Sequence, residues 1–174
     1  MLPIPIFPYH PDPFASKVVV AANEICECCE QRRTLFYVGP FYAVQEIEKI
    51  CLWCVADGSA AEKFDGMFVD DMNFDGQNMP KKIVDQITRR TPSYSAWQQE
   101  QWLTHCGDAC EFHGFPSADE LKAAPESTRM HCDPVNESEQ AWNSAIENFE
   151  AGDAGFYKFK CHHCDQVQYA FDCS

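Results

Sequence analysis

The chain has 174 residues, 45% of them hydrophobic and 13% aromatic, so it is long and apolar enough to bury one sizeable core. Its 27 acidic residues outnumber the 13 basic ones, which gives a formal net charge of -14 at pH 7. A surface of this charge repels the phosphates of nucleic acids and of anionic membranes. We therefore expect protein partners and no nucleic-acid binding.

The N-terminal arm (residues 1–17) contains five prolines, which disfavour a helix and predict extended backbone. It lacks the basic segment and uninterrupted apolar run of a signal peptide, and no stretch of the sequence approaches the roughly 18 apolar residues of a membrane-spanning helix. We expect a cytoplasmic protein without membrane insertion. In that reducing compartment, the 11 cysteines favour metal binding or catalysis over disulfides.

Strands and helices follow the arm in an α+β pattern. The β-branched and aromatic runs "KVVV" and "RTLFYV" predict two strands, and "SAAEKF" predicts a short helix. Pro80 begins a helix that reaches Arg90, and Ser95 with Gln98 predicts another helix running toward Cys110. Ser117 with Glu120 predicts a short helix.

The last third of the sequence ends in a hairpin. Residues 125–137 are expected to form a surface loop, and "SEQAWNSAIENFE" has the pattern of an amphipathic helix. Two alternating runs then flank Cys161 and Cys164, which predicts two strands joined by a cysteine-containing turn.

Two cysteine pairs near the start have the spacing of a zinc site. Cys26 and Cys29 are separated by two residues, as are Cys51 and Cys54, and 21 residues lie between the pairs. Two intervening residues let one tight turn direct two thiolates at one ion, and a second pair then completes a tetrahedron. A turn, a hairpin and a pair at the start of a helix are typical of a treble-clef zinc finger.

Two alternatives accompany this interpretation. Cys28 could replace Cys26 as a ligand, although adjacent ligands at positions 28 and 29 give poorer geometry. Cys51 and Cys54 also have the spacing of a thioredoxin-like dithiol, but that motif requires a βαβ context that is not evident here.

A second zinc site is suggested by Cys161 and Cys164, which need partners elsewhere in the chain. The candidates are Cys106 together with either Cys110 or His105; Cys110 is preferred, because it would share a helix face with Cys106. The alternative is that Cys106 and Cys110 are core residues and that the C-terminal turn binds no metal.

Other polar residues carry less specific signals. His105 with Asp108 could form an acid–base pair or orient a metal ligand. His10, His113 and His131 are expected to be solvated, and Cys132 and Cys173 have no partner at a metal-binding spacing. Trp97 and Trp102 are expected to pack in the core.

Several longer phrases resemble the bacterial CbrC family: "YHPDP", "CECC", "YVGPFY", "CLWCVADGSAAEKF", "RTPSYSAWQQEQWLTHCGDAC" and the terminal "CHHC" with "DCS". The similarity spans nearly the whole chain and is weakest from about 115 to 154. It implies a protein whose cysteine pairs suggest zinc and for which no reaction is established. The second pair in that family typically reads C-P-W-C, whereas Leu52 stands in the proline's place here.

These observations predict one α+β domain over residues 1–174. It would comprise a treble-clef-like zinc module at 18–66, a mainly helical part at 80–150 and a zinc-knuckle hairpin at 155–174. We expect two zinc ions and a metal-stabilised protein-interaction or adaptor protein. The alternative is an enzyme with an open metal site or reactive thiols near Cys106, Cys161 and Cys164, which the absence of a recognisable base, nucleophile or phosphate loop disfavours.

Overall fold

A computed structural model describes residues 2–129 and 139–173. Cys132, His131 and most of the predicted surface loop 125–137 lie outside these residues, and the side chain of Cys173 is likewise not described. The described chain is a mixed α+β structure with five α-helices and small antiparallel sheets. No helix within it is long and apolar enough to cross a membrane.

The first third forms a three-stranded sheet followed by two short helices. The strands lie in the order β1, β2, β3, and both pairings are antiparallel. The elements are β1 (Val19–Ile25), β2 (Arg32–Tyr37), β3 (Ile50–Cys51), α1 (Leu52–Ala56) and α2 (Ser59–Phe64). The two strands predicted from "KVVV" and "RTLFYV" and the helix predicted from "SAAEKF" are confirmed.

The middle of the chain is less helical than expected. A 3₁₀ turn (Asp71–Phe74) precedes α3 (Lys81–Arg90), which confirms the helix that follows Pro80. The helix predicted from Ser95 toward Cys110 is wrong. Those residues form an irregular segment, then a hairpin of β4 (Thr104–His105) and β5 (Asp108–Ala109), then β6 (Glu111–Phe112).

Tertiary hydrogen bonds explain why the segment from 95 to 103 is not a helix. Side chains distant in sequence accept from its backbone N–H groups: Tyr157 Oη from Trp97 at 3.1 Å, Asp172 Oδ2 from Gln98 at 2.8 Å and Asn73 Oδ1 from Trp102 at 3.1 Å. These bonds satisfy donors that helical hydrogen bonds would otherwise satisfy, so tertiary contacts override the local capping signal.

The C-terminal part confirms the two remaining predicted helices and the hairpin. The elements are α4 (Ala118–Ala123), a 3₁₀ turn (Glu126–Thr128), α5 (Glu139–Ala151), β7 (Ala154–Lys160) and β8 (Val167–Cys173). Ser117 Oγ accepts from the N–H of Glu120 at 3.2 Å and so begins α4 as its sequence predicts. Strand β7 lies between β6 and β8, antiparallel to both.

Among the described residues, buried side chains form three clusters, and strand β7 contributes to two of them. Tyr157 and Phe159 face the cluster that contains Trp102, whereas Phe156 faces the cluster formed with Trp142 of α5. Successive side chains on a strand point to opposite faces, so one strand serves both clusters. The remaining cluster lies in the first third of the chain and includes Cys26, Cys51 and Cys54.

The N-terminal arm contacts two of these clusters. Phe7 is buried in the first, and Tyr9, two residues later, is buried in the cluster around Trp102. His10, which was expected to be solvated, is 1% exposed, and that expectation is wrong. Its ring Nδ1 lies 2.7 Å from the carbonyl of Pro92 and its Nε2 lies 2.8 Å from Ser16 Oγ.

Candidate metal centres

Two groups of metal-ligating side chains are present in the described part of the chain. The first cluster consists of Cys26, Cys29, Cys51 and Cys54; the second consists of His105, Cys106, Cys161 and Cys164. In each, the four ligand atoms lie within 4.8 Å of one another. All nine cysteines whose side chains are described are free thiols.

Local backbone structure positions the first cluster. Cys26 directly follows β1, and the turn to β2 places Cys29 on the same side. Cys51 ends β3 and is the N-cap of α1, and Cys54 lies in the first turn of that helix. Phe36 of β2 pairs with Cys51, so the sheet holds the second pair against the first.

The sulfur separations fit one tetrahedral ion. Sγ atoms lie 4.0 Å apart for Cys26 and Cys54, 3.9 Å for Cys29 and Cys51, and 3.5 Å for Cys51 and Cys54. Four sulfurs at about 2.3 Å from one zinc ion are about 3.8 Å from each other in a regular tetrahedron. The cluster therefore has the size and the ligands of a tetrahedral four-thiolate metal site.

Hydrogen bonds distribute charge unevenly over these thiols. The thiols of Cys51 and Cys54, together with the backbone N–H of Cys51 at 3.2 Å, lie against Cys26 Sγ and hold the pKa of Cys26 well below its usual value. The hydrogen bond with Cys26 raises the pKa of Cys51 to about 11 and that of Cys54 further still. The N–H of Cys51, which is directed at Cys26 Sγ, favours a thiolate at that position.

Two basic side chains lie beside the first cluster. The Arg33 guanidinium is 5.5 Å from the ring centroid of Trp53, and its hydrogen bond to the Cys29 thiol raises its pKa. Lys63 Nζ donates to the carbonyls of Glu27 and Cys28 at 2.9 and 2.8 Å. In an acidic chain, this placement of positive charge matches the two negative charges of a tetrathiolate zinc.

Cys28 lies outside the first cluster. Its Sγ is 3.5 Å from Ser59 Oγ, and Ser59 in turn donates to Asp57 Oδ1 at 2.6 Å. The structure brings Cys26 and Cys29 together with the second pair, and it does not bring Cys28 there.

The second cluster forms where two tight turns meet. Cys106 and Gly107 both have positive φ, 52° and 74°, and form the two-residue turn between β4 and β5. Cys161 and Cys164 lie in the turn between β7 and β8. The structure places His105 with these three cysteines and does not place Cys110 there.

The distances in the second cluster also fit one ion. His105 Nδ1 lies 3.2 Å from Cys106 Sγ and 3.3 Å from Cys164 Sγ, and these two sulfurs are 3.9 Å apart. With Zn–N of about 2.0 to 2.1 Å and Zn–S of about 2.3 Å, a tetrahedron has N···S edges of about 3.6 Å. The observed separations are slightly shorter than this edge.

Burial raises the pKa of Cys161, but hydrogen bonds outweigh it. The backbone N–H of His163 lies 3.3 Å from Cys161 Sγ and is the largest of the contributions that lower the pKa to about 6. An N–H group directed at the first sulfur of a tight turn favours the thiolate that a metal requires.

Cys110 has a different environment. It is fully buried, and its Sγ lies 3.7 Å from Gln168 Oε1. Burial raises its pKa to about 12. The preference for Cys110 over His105 assumed a helix on which Cys106 and Cys110 share a face. The hairpin removes that face, because Cys106 occupies the turn and Cys110 follows β5.

Tyr9, which sequence reasoning did not select, lies beside the second cluster and contacts Asp108. Tyr9 Oη donates to Asp108 Oδ1 at 2.8 Å, and Asp108 Oδ2 lies 3.0 Å from His163 Nε2. The Tyr9 ring also meets the ring of His162 edge-on, with centroids 4.9 Å apart. Asp108 thus pairs with His163, whereas the sequence suggested His105.

A second carboxylate binds two further imidazoles on this side of the molecule. Glu111 Oε1 lies 3.0 Å from His162 Nδ1, and Oε2 lies 2.6 Å from His113 Nε2. The contact of Glu111 with His162 links the turn that carries Cys161 and Cys164 to β6, and the contact of Asp108 with His163 links it to β5. The hairpin of β4 and β5 could have been predicted from Gly107, since Gly is typical of the second position of a two-residue hairpin turn.

The tryptophans occupy different environments. Trp102 is buried, and its indole N–H donates to the carbonyl of Cys110 at 2.9 Å, which confirms the expected core packing. The same expectation is wrong for Trp97, which is 54% exposed and lies against Gly155, where an added Cβ would approach its Cδ1 to 2.8 Å.

Comparison with known proteins places the chain in a bacterial family. Residues 4–173 match the model of an uncharacterised protein family, UPF0167. The chain is 34% identical over 174 residues to UPF0167 protein PA1536 of Pseudomonas aeruginosa, covering 98% of this chain and 97% of that protein. It is 39% identical over 169 residues to UPF0167 protein Mb2317 of Mycobacterium bovis and to UPF0167 protein MT2352 of Mycobacterium tuberculosis, covering 92% of this chain and 89% of each relative.

No solved structure matches the chain. The relatives named here carry the UPF0167 name and not the CbrC name suggested by the sequence resemblance. The match extends over nearly the whole length of the chain and of each relative, so it includes both clusters. The chain belongs to the UPF0167 family.

Proposed function

We propose that the protein binds two zinc ions, one in each cluster, and that the bound metal stabilises a protein-interaction or adaptor protein. The observation that carries this proposal is the agreement between the ligand separations and the edges of a zinc tetrahedron. Sulfur separations of 3.5 to 4.0 Å in the first cluster are far longer than a disulfide bond of about 2.05 Å and close to the expected 3.8 Å.

The first cluster supports a treble-clef-like module over residues 18–66. A turn after β1 supplies one pair of thiols, and the start of α1 supplies the other. Thiolates at a helix N-terminus are favoured by the helix dipole, and the neighbouring guanidinium of Arg33 adds to that effect. When bound, zinc would contribute directly to the folding free energy of this part of the chain.

The second cluster supports a structural role more than a catalytic one. A catalytic zinc keeps one position for water or substrate, and an enzyme built on Cys106, Cys161 and Cys164 would need that open position. The imidazole of His105 lies within 3.3 Å of two of those sulfurs and supplies a fourth ligand. The interaction protein is therefore favoured over the enzyme.

We further propose that the partner is a protein and that the cellular compartment is the cytoplasm. The net charge of -14, with further negative charge at each zinc-thiolate site, favours a partner with a basic surface over nucleic acid. A reducing compartment would keep the free thiols available to metal.

Elemental analysis of the purified protein, combined with titration of its accessible thiols, tests this proposal. We expect close to two zinc ions per chain and little iron, the other metal that tetrahedral sulfur sites commonly bind. A folded protein that contains no metal, or that contains iron in place of zinc, contradicts the proposal.

A further inference from the structure

The two clusters differ in how far solvent reaches their sulfurs. In the first cluster Cys26 and Cys51 are 0% exposed and Cys54 is 3% exposed, and Cys29 is the one partly accessible member. In the second cluster Cys106 and Cys164 are both exposed, and Cys161 is buried. The second cluster therefore presents two exposed cysteines to an oxidant dissolved in water, and the first cluster presents no exposed pair.

These two exposed sulfurs are also close to each other. Cys106 Sγ and Cys164 Sγ are 3.9 Å apart and belong to residues that are 58 positions apart in the sequence. Each residue lies in a tight turn, one between β4 and β5 and the other between β7 and β8. Small changes in two exposed side chains could bring the sulfurs to bonding distance without moving a strand.

We propose that Cys106 and Cys164 are a peroxide-sensitive pair whose oxidation to a disulfide releases the metal of the second cluster. The inference rests on the proposed function, because it takes the second cluster to be zinc-loaded in the reduced protein. The chemical class of the reactant is a hydroperoxide, with hydrogen peroxide as the smallest member.

The reaction balances in two steps. One thiolate attacks a peroxide oxygen, so that an S–O bond forms, the O–O bond breaks and hydroxide leaves; a sulfenic acid results. The second thiolate then attacks that sulfur, so that the S–S bond forms and the S–O bond breaks with loss of a second hydroxide. Each hydroxide takes a proton from the buffer and becomes water. The two sulfurs together lose two electrons, the peroxide is reduced to two molecules of water, and the zinc ion leaves unchanged in charge.

Loss of the metal follows from the ligand count. A disulfide removes both Cys106 and Cys164 from the ligand set, which leaves only His105 and Cys161 of the four ligands. Two ligands bind zinc much more weakly than four. The first cluster retains its four thiolates, so we expect oxidation to release one metal ion and leave the other bound.

The test treats the zinc-loaded wild-type protein with one molar equivalent of hydrogen peroxide. Released zinc is followed with a coloured chelator, and disulfides are mapped by mass spectrometry after blocking free thiols. We expect release of about one zinc per chain, on the order of tenfold faster than from the first cluster, a Cys106–Cys164 disulfide, and rebinding of zinc after reduction. Cys28→Ser is the matched control, because Cys28 belongs to neither cluster, and it should respond as the wild type does.

The outcomes separate this inference from the proposed function. The inference alone is overturned if the protein carries two zinc ions and peroxide releases neither. It is also overturned if the first ion released is that of the first cluster. A disulfide that joins any other pair also overturns it. A protein that carries no zinc at the second cluster before treatment overturns the proposed function and this inference together.

Discussion

Cys26, Cys28 and Cys29 share one turn, yet only two of their sulfurs lie in the first cluster. The sulfur of Cys28 points instead to the hydroxyl of Ser59. Identical side chains one or two residues apart therefore have different chemical environments, and this difference can be measured with matched serine variants.

Cys54→Ser should cost far more stability than Cys28→Ser. Loss of one ligand forfeits much of a metal-binding free energy that is on the order of 10 kcal/mol for a whole structural site. Cys28→Ser removes only a weak S···O contact at 3.5 Å. Urea unfolding and zinc content of both variants provide the measurement. Equal stability with equal zinc content would rule out the first cluster as a metal site.

A pair of variants tests the fourth ligand of the second cluster. We expect His105→Ala to lower the zinc content from about two ions per chain to about one, because His105 Nδ1 lies beside two cluster sulfurs. Cys110→Ser should retain both ions, since its sulfur contacts Gln168. Zinc lost from Cys110→Ser but not from His105→Ala would reverse the assignment.

The buried His10 should make stability depend on pH. Burial lowers its pKa to about 4 from the usual 6.5, and the carbonyl of Pro92 accepts from Nδ1 in the neutral ring. The unfolded chain takes up the proton first, so the contribution of neutral His10 is fully present above pH 6.5. As the pH falls from 6.5 toward 4, this contribution to the free energy of unfolding, about 3 kcal/mol, is lost.

Acid also removes metal from thiolates, so it destabilises any variant of the protein. The effect of His10 is therefore measured as the difference in free energy of unfolding between the wild type and His10→Gln. The stability advantage of the wild type over His10→Gln should be constant above pH 7 and should shrink between pH 6.5 and 4. An advantage that stays constant across this range would show that His10 titrates normally.

At the scale of elements, the hairpin that carries Cys106 departs most from the sequence prediction. The capping signal at Ser95 and Gln98 is real as a local pattern, but Tyr157, Asp172 and Asn73 accept the backbone N–H groups of this region. Those partners lie elsewhere in the chain, so no local window contains them. Helices such as α3 and α4 were predictable, because their backbone N–H and C=O groups form hydrogen bonds within the same short segment.

Gly107→Ala tests whether this turn controls metal binding. Gly107 has φ of 74°, where any side chain is strained by about 1 kcal/mol, and nothing lies within 4 Å of an added Cβ. We expect zinc affinity at the second cluster to fall about fivefold. Competition with a chelator of known affinity measures the change.

Gly76→Ala is the matched control for that experiment. Gly76 has the same φ of 74° and the same open surroundings, but it lies in a loop outside both clusters. It should lose similar stability without a change in zinc affinity. Equal affinity loss in both variants would mean that general destabilisation, and not the hairpin turn, sets the affinity.

At the scale of the whole molecule, the sequence was more informative about chemistry than about arrangement. Spacing within each cysteine pair predicted which thiols would meet in the first cluster, because one pair lies in a local turn and the other at the start of a helix. The second cluster joins turns about 55 residues apart, and its imidazole could not be identified from spacing. The contacts of Tyr9 with Asp108 and of Glu111 with two histidines depend wholly on tertiary structure.

Two deletions of the N-terminal arm should have very different effects. Removal of residues 2–6 takes away the carbonyl of Pro3, which accepts from Trp53 Nε1 at 2.8 Å, and should cost about 1 kcal/mol. Removal of residues 2–10 also takes away Phe7, Tyr9 and His10, all buried, at about 3 kcal/mol or more for each aromatic side chain. Since folded domains are stable by only about 5–15 kcal/mol, the longer deletion should unfold the protein.

Circular dichroism and zinc content distinguish the two deletions. The shorter one should keep both metal ions, and the longer one should lose at least the ion of the second cluster, whose surroundings include Tyr9. A longer deletion that stays folded with two zinc ions would show that the arm is dispensable.

The position of Tyr9 also bears on the order of events during synthesis. Tyr9 leaves the ribosome before its partners Asp108 and His162, which emerge about 100 and 150 residues after it. The cluster around Trp102 also needs Phe159 of β7, so it closes only after β7 has been made. Such distant contacts form slowly, because a long loop must close before they contribute.

The thiols of Cys26 and Cys54, separated by only 28 residues, can meet much earlier. Nascent chains should therefore acquire metal in the first cluster before the second, which must wait until Cys161 and Cys164 have been made.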